Sequence, residues 1–448
     1  MRNSRRLRNR WFLPLTAVLA LAVAASAAVA ASDKPAANEA ALGGSTCGSL
    51  PFSPPKNEKG NALASLRLPA SLREGYNNYL ALMQVSPYRS FKPKSGPPWT
   101  VAYSDSFSGN AWRAAARASL QQNFAAAKRQ GLVEGNLILT DSNLKNDVQI
   151  QQMRSLVQRG VDIIFSIPNS PTAMNGVIKQ AFDAGIPVLT LSAPVSTPYA
   201  INVDTNQFTY GARQAQGLAF LLNGRGKIMT VQGIAGTPGS LQIQSGGDAI
   251  LKKCSGIEIV ANFAGSWNNA TAKTEMLKAL ATNPATLNGI WQQGSMEKGI
   301  IEALQQVGRP RIPVTMGNPD QAGLAYWREN RGEGYRGVGT AQPSAAGADA
   351  MFRIGMRILE GKGPKVNAIV GNPPLILDKE NVARAKQRFP GVTIQPLEQW
   401  VKPQWTFSSP GVANPSSGPT GSWLNDRDLD YFFTRKASRY KGVRNAGQ

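Results

Sequence analysis

Leu156-Val-Gln-Arg-Gly-Val-Asp-Ile-Ile-Phe-Ser166, followed by Ala184-Gly-Ile-Pro-Val-Leu-Thr190, decides the fold. In each, an amphipathic stretch gives way to a short apolar run rich in β-branched residues, so the two together read as helix, strand, helix, strand. The same alternation extends both ways. Strands are expected at 100–103, 136–140, 163–166, 188–191, 227–232, 258–263, 289–292 and 314–317, and helices between them at 112–129, 147–159, 172–184, 210–222, 246–253, 270–282 and 296–306. Strands alternating with helices in this way build parallel sheets from βαβ units. They are too many for one compact sheet of ordinary size, and the Val203-Asp204 region is the natural break. The expected fold class is α/β, with two similar Rossmann-like lobes whose strand ends face each other across a cleft, where open α/β sheets take their ligands. A helix at 342–360 and a short run at 375–377 follow the second lobe and can carry the chain back to the first and across again.

The termini read differently. Residues 1–10 carry five arginines and no acidic residue, and residues 11–30 are almost wholly apolar and end in Ala28-Val29-Ala30. That is the plan of a secretory signal peptide, and the expected destination is the periplasm. Cys47 lacks the residues that precede a lipidated cysteine. The export route, general or twin-arginine, stays open. Residues 31–98 are rich in Pro, Gly, Ser and Asn, with one helical candidate near 66–83, and are read as a leader segment. The stretch 383–448 is read as a C-terminal extension, with a linker-like part at 408–422.

Composition excludes several chemistries. Histidine is absent from the whole chain, which rules out Ser-His-Asp and Cys-His catalysis and His-ligated metal. The two cysteines, Cys47 and Cys254, are too few for a metal centre; in an oxidising compartment they can pair, and the sequence leaves that pairing open. Removing residues 1–30 takes the formal charge from +22 to +17. The basic residues are scattered, apart from the stretch 435–444, and are read as a solvated surface; no nucleic-acid partner is expected. There is no GxGxxG after the first strand and no P-loop, so no cofactor, no metal and no enzymatic activity are expected. A DNA-binding repressor is disfavoured by the signal peptide and by the lack of a helix-turn-helix before residue 99.

Landmarks in a fixed order carry a resemblance: Tyr103-Ser-Asp-Ser-Phe-Ser-Gly-Asn-Ala-Trp-Arg113, the two segments quoted at the outset, Gln232-Gly-Ile-Ala-Gly-Thr237 and Gly339-Thr-Ala-Gln342. Over roughly 100–377 the chain resembles the ribose-binding protein family of periplasmic binding proteins, type I sugar receptors with two lobes joined by three hinge crossings. The Trp-Arg pair that opens the first helix is more similar to the galactofuranose-binding members. The resemblance implies lobe 1 at 99–203 and 343–372, and lobe 2 at 204–342 and 373–382. It implies a ligand site built from Ser106, Asn110, Trp112 and Arg113 on the first lobe. On the second, Trp267 matches a stacking aromatic, Gln293 and Asn318 match polar positions after strands, and Gln342 lies near a crossing. Gln244 matches the family's binding arginine across a one-residue insertion. Asp105 is either a ligand acceptor or a helix cap.

Departures from the family pattern narrow the ligand. Ser192-Ala193 stands where the family has an Asp-Arg pair, and Gln293-Gly294 where it has Asn-Asp. The strongest charge-assisted hydrogen bonds are thereby lost, which argues against ribose and for an altered sugar, a polyol or another small neutral compound. The resemblance implies a monomeric solute-binding component that delivers its ligand to the membrane permease of an ABC importer; a receptor that presents the closed form to a membrane sensor or chemoreceptor is the alternative.

Overall fold

The computed structural model describes residues 47–283, 286–409, 424–434 and 438–443. The signal-peptide reading of 1–30 and the linker reading of 408–422, save its first two residues, lie outside them. Among the described residues no helix is long and apolar enough to cross a membrane.

The elements, in chain order, begin with β1 (Asn57–Glu58), α1 (Ala62–Leu66), α2 (Ala70–Arg73) and β2 (Leu82–Met83). The first lobe follows with β3 (Val101–Asp105), α3 (Ala111–Arg129), β4 (Ile138–Asp141), α4 (Asn146–Gln158), β5 (Ile163–Ile167), α5 (Asn175–Asp183), β6 (Val188–Leu191) and β7 (Ala200–Thr205). The chain then crosses into α6 (Gln207–Leu221), β8 (Arg225–Gln232), α7 (Pro238–Leu251), β9 (Gly256–Ala264), α8 (Asn269–Thr282), β10 (Gly289–Gln292), α9 (Glu297–Gln306), β11 (Thr315–Gly317), α10 (Gln321–Asn330) and β12 (Val338–Thr340). It returns through α11 (Ser344–Leu359) and β13 (Ala368–Gly371), then crosses again into β14 (Leu375–Leu377), α12 (Lys379–Arg388) and β15 (Ile394–Pro396), with α13 (Asp426–Leu429) beyond.

In the first lobe the sheet order is β13-β7-β6-β5-β3-β4, parallel throughout. Its inner strands are buried along their whole length, as a sheet covered by helices on both faces requires. In the second lobe β10-β8-β9 and β11-β12-β14-β15 form two sheets, and a bridge between Ile290 and Val314 joins them edge to edge. β14 pairs antiparallel with β12, and β15 runs parallel to β14, the consequence of the last crossing. The chain thus passes between the lobes at β7–α6, at β12–α11 and at β13–β14.

Several elements differ from the sequence reading. No strand was expected at 200–205, where the first sheet was expected to break at Val203-Asp204; β7 is a full strand paired on both sides. β12 and β13 were missed because glycines at 337, 339 and 371 interrupt their short apolar runs. α7 starts at Pro238 rather than 246; its Gly239, Gly246 and Gly247 depress helix propensity, but a Cβ at Gly246 would meet the carbonyl oxygen of Phe208 at 1.8 Å, so close packing on α6 selects glycine there.

The leader is part of the fold. The helical candidate at 66–83 is broken: Arg67 has φ +50°, Pro69 precedes α2, and Asn78 has φ +53°. Tyr76, Tyr79 and Tyr88 are fully buried in the first-lobe core, and Tyr76 Oη donates to the Ala368 carbonyl at 2.9 Å. Cys47 and Cys254, left open by the sequence, form a disulfide that ties the leader to the end of α7. The C-terminal extension is equally integral. β15 completes the second-lobe sheet, Trp400 and Trp405 enter its core, and Leu429, Phe432 and Tyr440 pack into that of the first. Arg353 and Arg357 on α11 hold Asp426 and Asp430 there.

Candidate ligand-binding cleft

The site forms where the carboxyl ends of strands from both lobes converge. β3 ends at Asp105, and the chain turns through Asn110 into α3. Asn110 caps that helix, its Oδ1 accepting from the Arg113 backbone N–H at 2.9 Å, and so fixes where the next two side chains leave the first turn. The Arg113 guanidinium forms an ion pair with Asp105 and donates to Ser106 Oγ at 3.2 Å. Asp105 also accepts from Tyr103 Oη at 2.7 Å and from the Phe107 N–H at 3.1 Å. Its oxygens are spent inside the lobe, and it is 2% exposed.

Between the lobes lies a cavity of about 70 Å³. It is lined by Asn110, Trp112, Arg113 and Ser192 from the first lobe, by Trp267, Gln293 and Asn318 from the second, and by Gln342 at a crossing. With roughly 10–15 Å³ needed for each water, it holds several waters or a small solute. Of the residues singled out from sequence, Asp105, Ser106 and Gln244 do not line it. Asp105 and Ser106 stand behind Arg113. Gln244 donates to Asp248 at 2.8 Å and accepts from Gln293 Nε2 at 3.4 Å.

Gln293 lines the cavity, but its amide is engaged inside the second lobe: Oε1 accepts from the Gly233 N–H at 2.9 Å and Ser240 Oγ at 2.8 Å, and Nε2 donates to the Ser240 carbonyl at 3.1 Å. Asn318 Oδ1 accepts from the Gln342 N–H at 2.9 Å, which aims the Asn318 amide nitrogen away from that bond. Trp112 Nε1 donates to the Gln342 carbonyl at 3.0 Å. The Trp267 ring lies against Gly233, where a Cβ would come within 2.1 Å of it. Ser192, Trp267, Ser295 and Asn318 all have φ between +52° and +58° and all line the cavity. Non-glycine residues in this region cost about 1–3 kcal/mol each and gather where a site demands them.

The sequence reading missed Gln207, Tyr210, Ile167, Gly239, Ile243 and Ser295, which also line the cavity. A signal existed for the first two: α6 is buried on every side, yet carries Gln207, Arg213, Gln214 and Gln216, and polar groups on a buried helix need partners or a cavity. Among the described residues no cluster of acidic, cysteine or histidine side chains is arranged to hold a metal ion.

This geometry is that of a known family. Residues 101–363 match the model of the periplasmic binding protein domain. A xylitol-binding protein of Mycolicibacterium smegmatis is 26% identical over 60% of this chain and 78% of its own length. A galactofuranose-binding protein of Escherichia coli is 27% identical over 50% of this chain and 71% of its own. Among solved structures, an ABC transporter solute-binding protein from Thermobispora bispora superposes with a TM-score of 0.59 at 23% identity, covering 68% of this chain and 89% of that one. With two α/β lobes, three crossings and a polar cavity between them, the chain belongs to the periplasmic binding protein family and has its type I fold.

Proposed function

We propose that this protein is the solute-binding component of an ABC importer, capturing a small neutral sugar-like or polyol ligand by closing its lobes. The carrying observation is that one cavity is walled by Trp112 from one lobe and Trp267 from the other, with hydrogen-bonding groups between them. Sugars and polyols present C–H faces to flat apolar partners and hydroxyls to paired donors and acceptors. Neutrality follows from the charges: Arg113 is already neutralised by Asp105. The xylitol- and galactofuranose-binding relatives support the same ligand class.

Asn110, Trp112, Arg113, Ser192, Trp267, Asn318 and Gln342 are the proposed contacts. Asp105 and Ser106 hold Arg113, and Gln293 with Gln244 stiffens the second-lobe wall. The arginine-rich start and Ala28-Val29-Ala30 support export to the periplasm, where a monomer would deliver its ligand to a membrane permease. Native mass spectrometry of protein purified from the periplasm, followed by calorimetry with the co-purified compound, tests this reading. A neutral polyol or sugar bound one to one is expected; turnover of the captured compound would overturn it.

A further inference from the structure

Resting on the proposed capture of a neutral hydroxylated ligand, the geometry points to a specific reader of one of its hydroxyls: Tyr210 Oη, on the first helix of the second lobe, donates to the ligand hydroxyl that reaches deepest, with Gln214 as the positioning residue beneath it.

Three observations carry this. Tyr210 lines the cavity and is 2% exposed, yet among the described residues its hydroxyl has no hydrogen-bond partner. The hydroxyl faces the cavity, where a ligand hydroxyl can take the place of water as its acceptor. Second, both loops that approach Tyr210 present glycine. A Cβ at Gly294 would stand 2.7 Å from Tyr210 Oη, and one at Gly317 2.5 Å from it; any other residue at either place would displace the phenol. Third, Gln214 lies one helical turn below Tyr210 on α6, is fully buried, and neither atom of its amide has a partner. The same point above Gly317 that lies 2.5 Å from Tyr210 Oη lies 2.9 Å from Gln214 Nε2. The two polar groups thus approach the same face of Gly317, Tyr210 from the cavity and Gln214 from behind its wall.

The floor also selects against charge. Glu297 and Asp320, buried in the second lobe, are both held above the ordinary carboxylate range by burial, with Asp320 raising Glu297 further. The Tyr210 hydroxyl is pushed up by burial and by the field of Glu297, so it stays a neutral donor. A ligand carboxylate at this place would meet the same desolvation, and the cation that lines the cavity, Arg113, is already paired with Asp105. The floor therefore reads a neutral CH2OH or CHOH end and rejects its oxidised counterpart.

The test uses calorimetry with xylitol, 1-deoxyxylitol and xylonate as probes, on the wild type and on Tyr210→Phe and Gln214→Leu, with thermal melts to verify folding. Wild type is expected to prefer xylitol to 1-deoxyxylitol by about threefold to tenfold, the scale of one net hydrogen bond, and to xylonate by more. Tyr210→Phe should erase the preference over 1-deoxyxylitol; Gln214→Leu should shrink it, and a Gln214→Asn variant should restore part of it. Xylitol binding with the preference intact in Tyr210→Phe would overturn the assignment and leave the capture reading standing. Failure of the wild type to bind any neutral polyol or sugar, pentoses and hexoses included, would overturn both.

Discussion

Trp112 and Gln342 are joined across the hinge: the indole Nε1 on the first helix of one lobe donates to the Gln342 backbone carbonyl at 3.0 Å, where the chain leaves the other lobe. The Gln342 N–H in turn bonds Asn318 Oδ1 at 2.9 Å. Two proposed ligand contacts are thus coupled to the crossing that must flex, and the indole stands both as a wall of the cavity and as a latch.

Replacing Trp112 by Phe keeps an aromatic wall but removes the latch, whereas Trp112→Ala removes both. Against xylitol or the co-purified ligand, Trp112→Ala and Trp267→Ala should each weaken binding by about 1–3 kcal/mol, the scale of a large apolar side chain losing its burial. Trp112→Phe should lose less. Calorimetry on the three folded variants checks this; unchanged affinity for both alanine variants would remove the aromatics from the site.

Breaking the Asp105–Arg113 pair leaves one buried charge alone. Asp105→Asn should therefore lower stability by about 3–5 kcal/mol, as removal of one partner of a buried pair does, and should weaken ligand binding by freeing the guanidinium from its fixed place. Urea denaturation gives the first quantity and calorimetry the second. A variant as stable as the wild type would mean that the pair is solvated.

The Cys47–Cys254 disulfide closes a loop that runs from the leader through β3–β7 of the first lobe to the end of α7. The double substitution to Ser should cost on the order of 2–4 kcal/mol, read as a lower urea midpoint. A midpoint equal to that of the oxidised wild type would show that the leader stays docked without its covalent tie.

Asp204, at the end of β7 next to the crossing, is fully buried, and burial raises its carboxyl from 3.8 to about 7. Gln207 and Tyr79 face it. A folded-state pKa above the unfolded one means that the unfolded chain releases its proton first, so this group's contribution is present below about pH 4 and is lost as pH rises towards 7. Asp204→Asn should accordingly gain stability relative to the wild type between those values, by up to a few kcal/mol. Thermal melts of both proteins from pH 5 to 8 measure the difference; a constant offset across that range would mean the carboxyl titrates normally.

The sequence made the framework legible because its parallel strands are continuous apolar runs between amphipathic helices: 163–166 and 188–191 lie within or on β5 and β6. It left β12 and β13 unread, since glycines at 337, 339 and 371 interrupt their short apolar runs. Trp112 and Gln342 stand in the ordered motifs, Trp267 and Asn318 were matched through the resemblance those motifs carry, and all four line the cavity. Tyr210 was not, because a tyrosine on a buried helix looks like core until the glycines at 294 and 317 are brought opposite it, and that pairing spans the whole second lobe. The leader tyrosines were hidden by the Pro- and Asn-rich residues around them, which mark turns but say nothing of what the turns pack against.

Capture between lobes makes one physical demand: contacts from both sides must favour the closed arrangement over the open one by a few kcal/mol. Small-angle X-ray scattering of the mature protein, with and without saturating co-purified ligand, measures this directly. A smaller radius of gyration on binding is the predicted result. An unchanged radius, with binding verified by calorimetry, would place the ligand within one lobe or show the lobes already closed without it, and would contradict capture by closure.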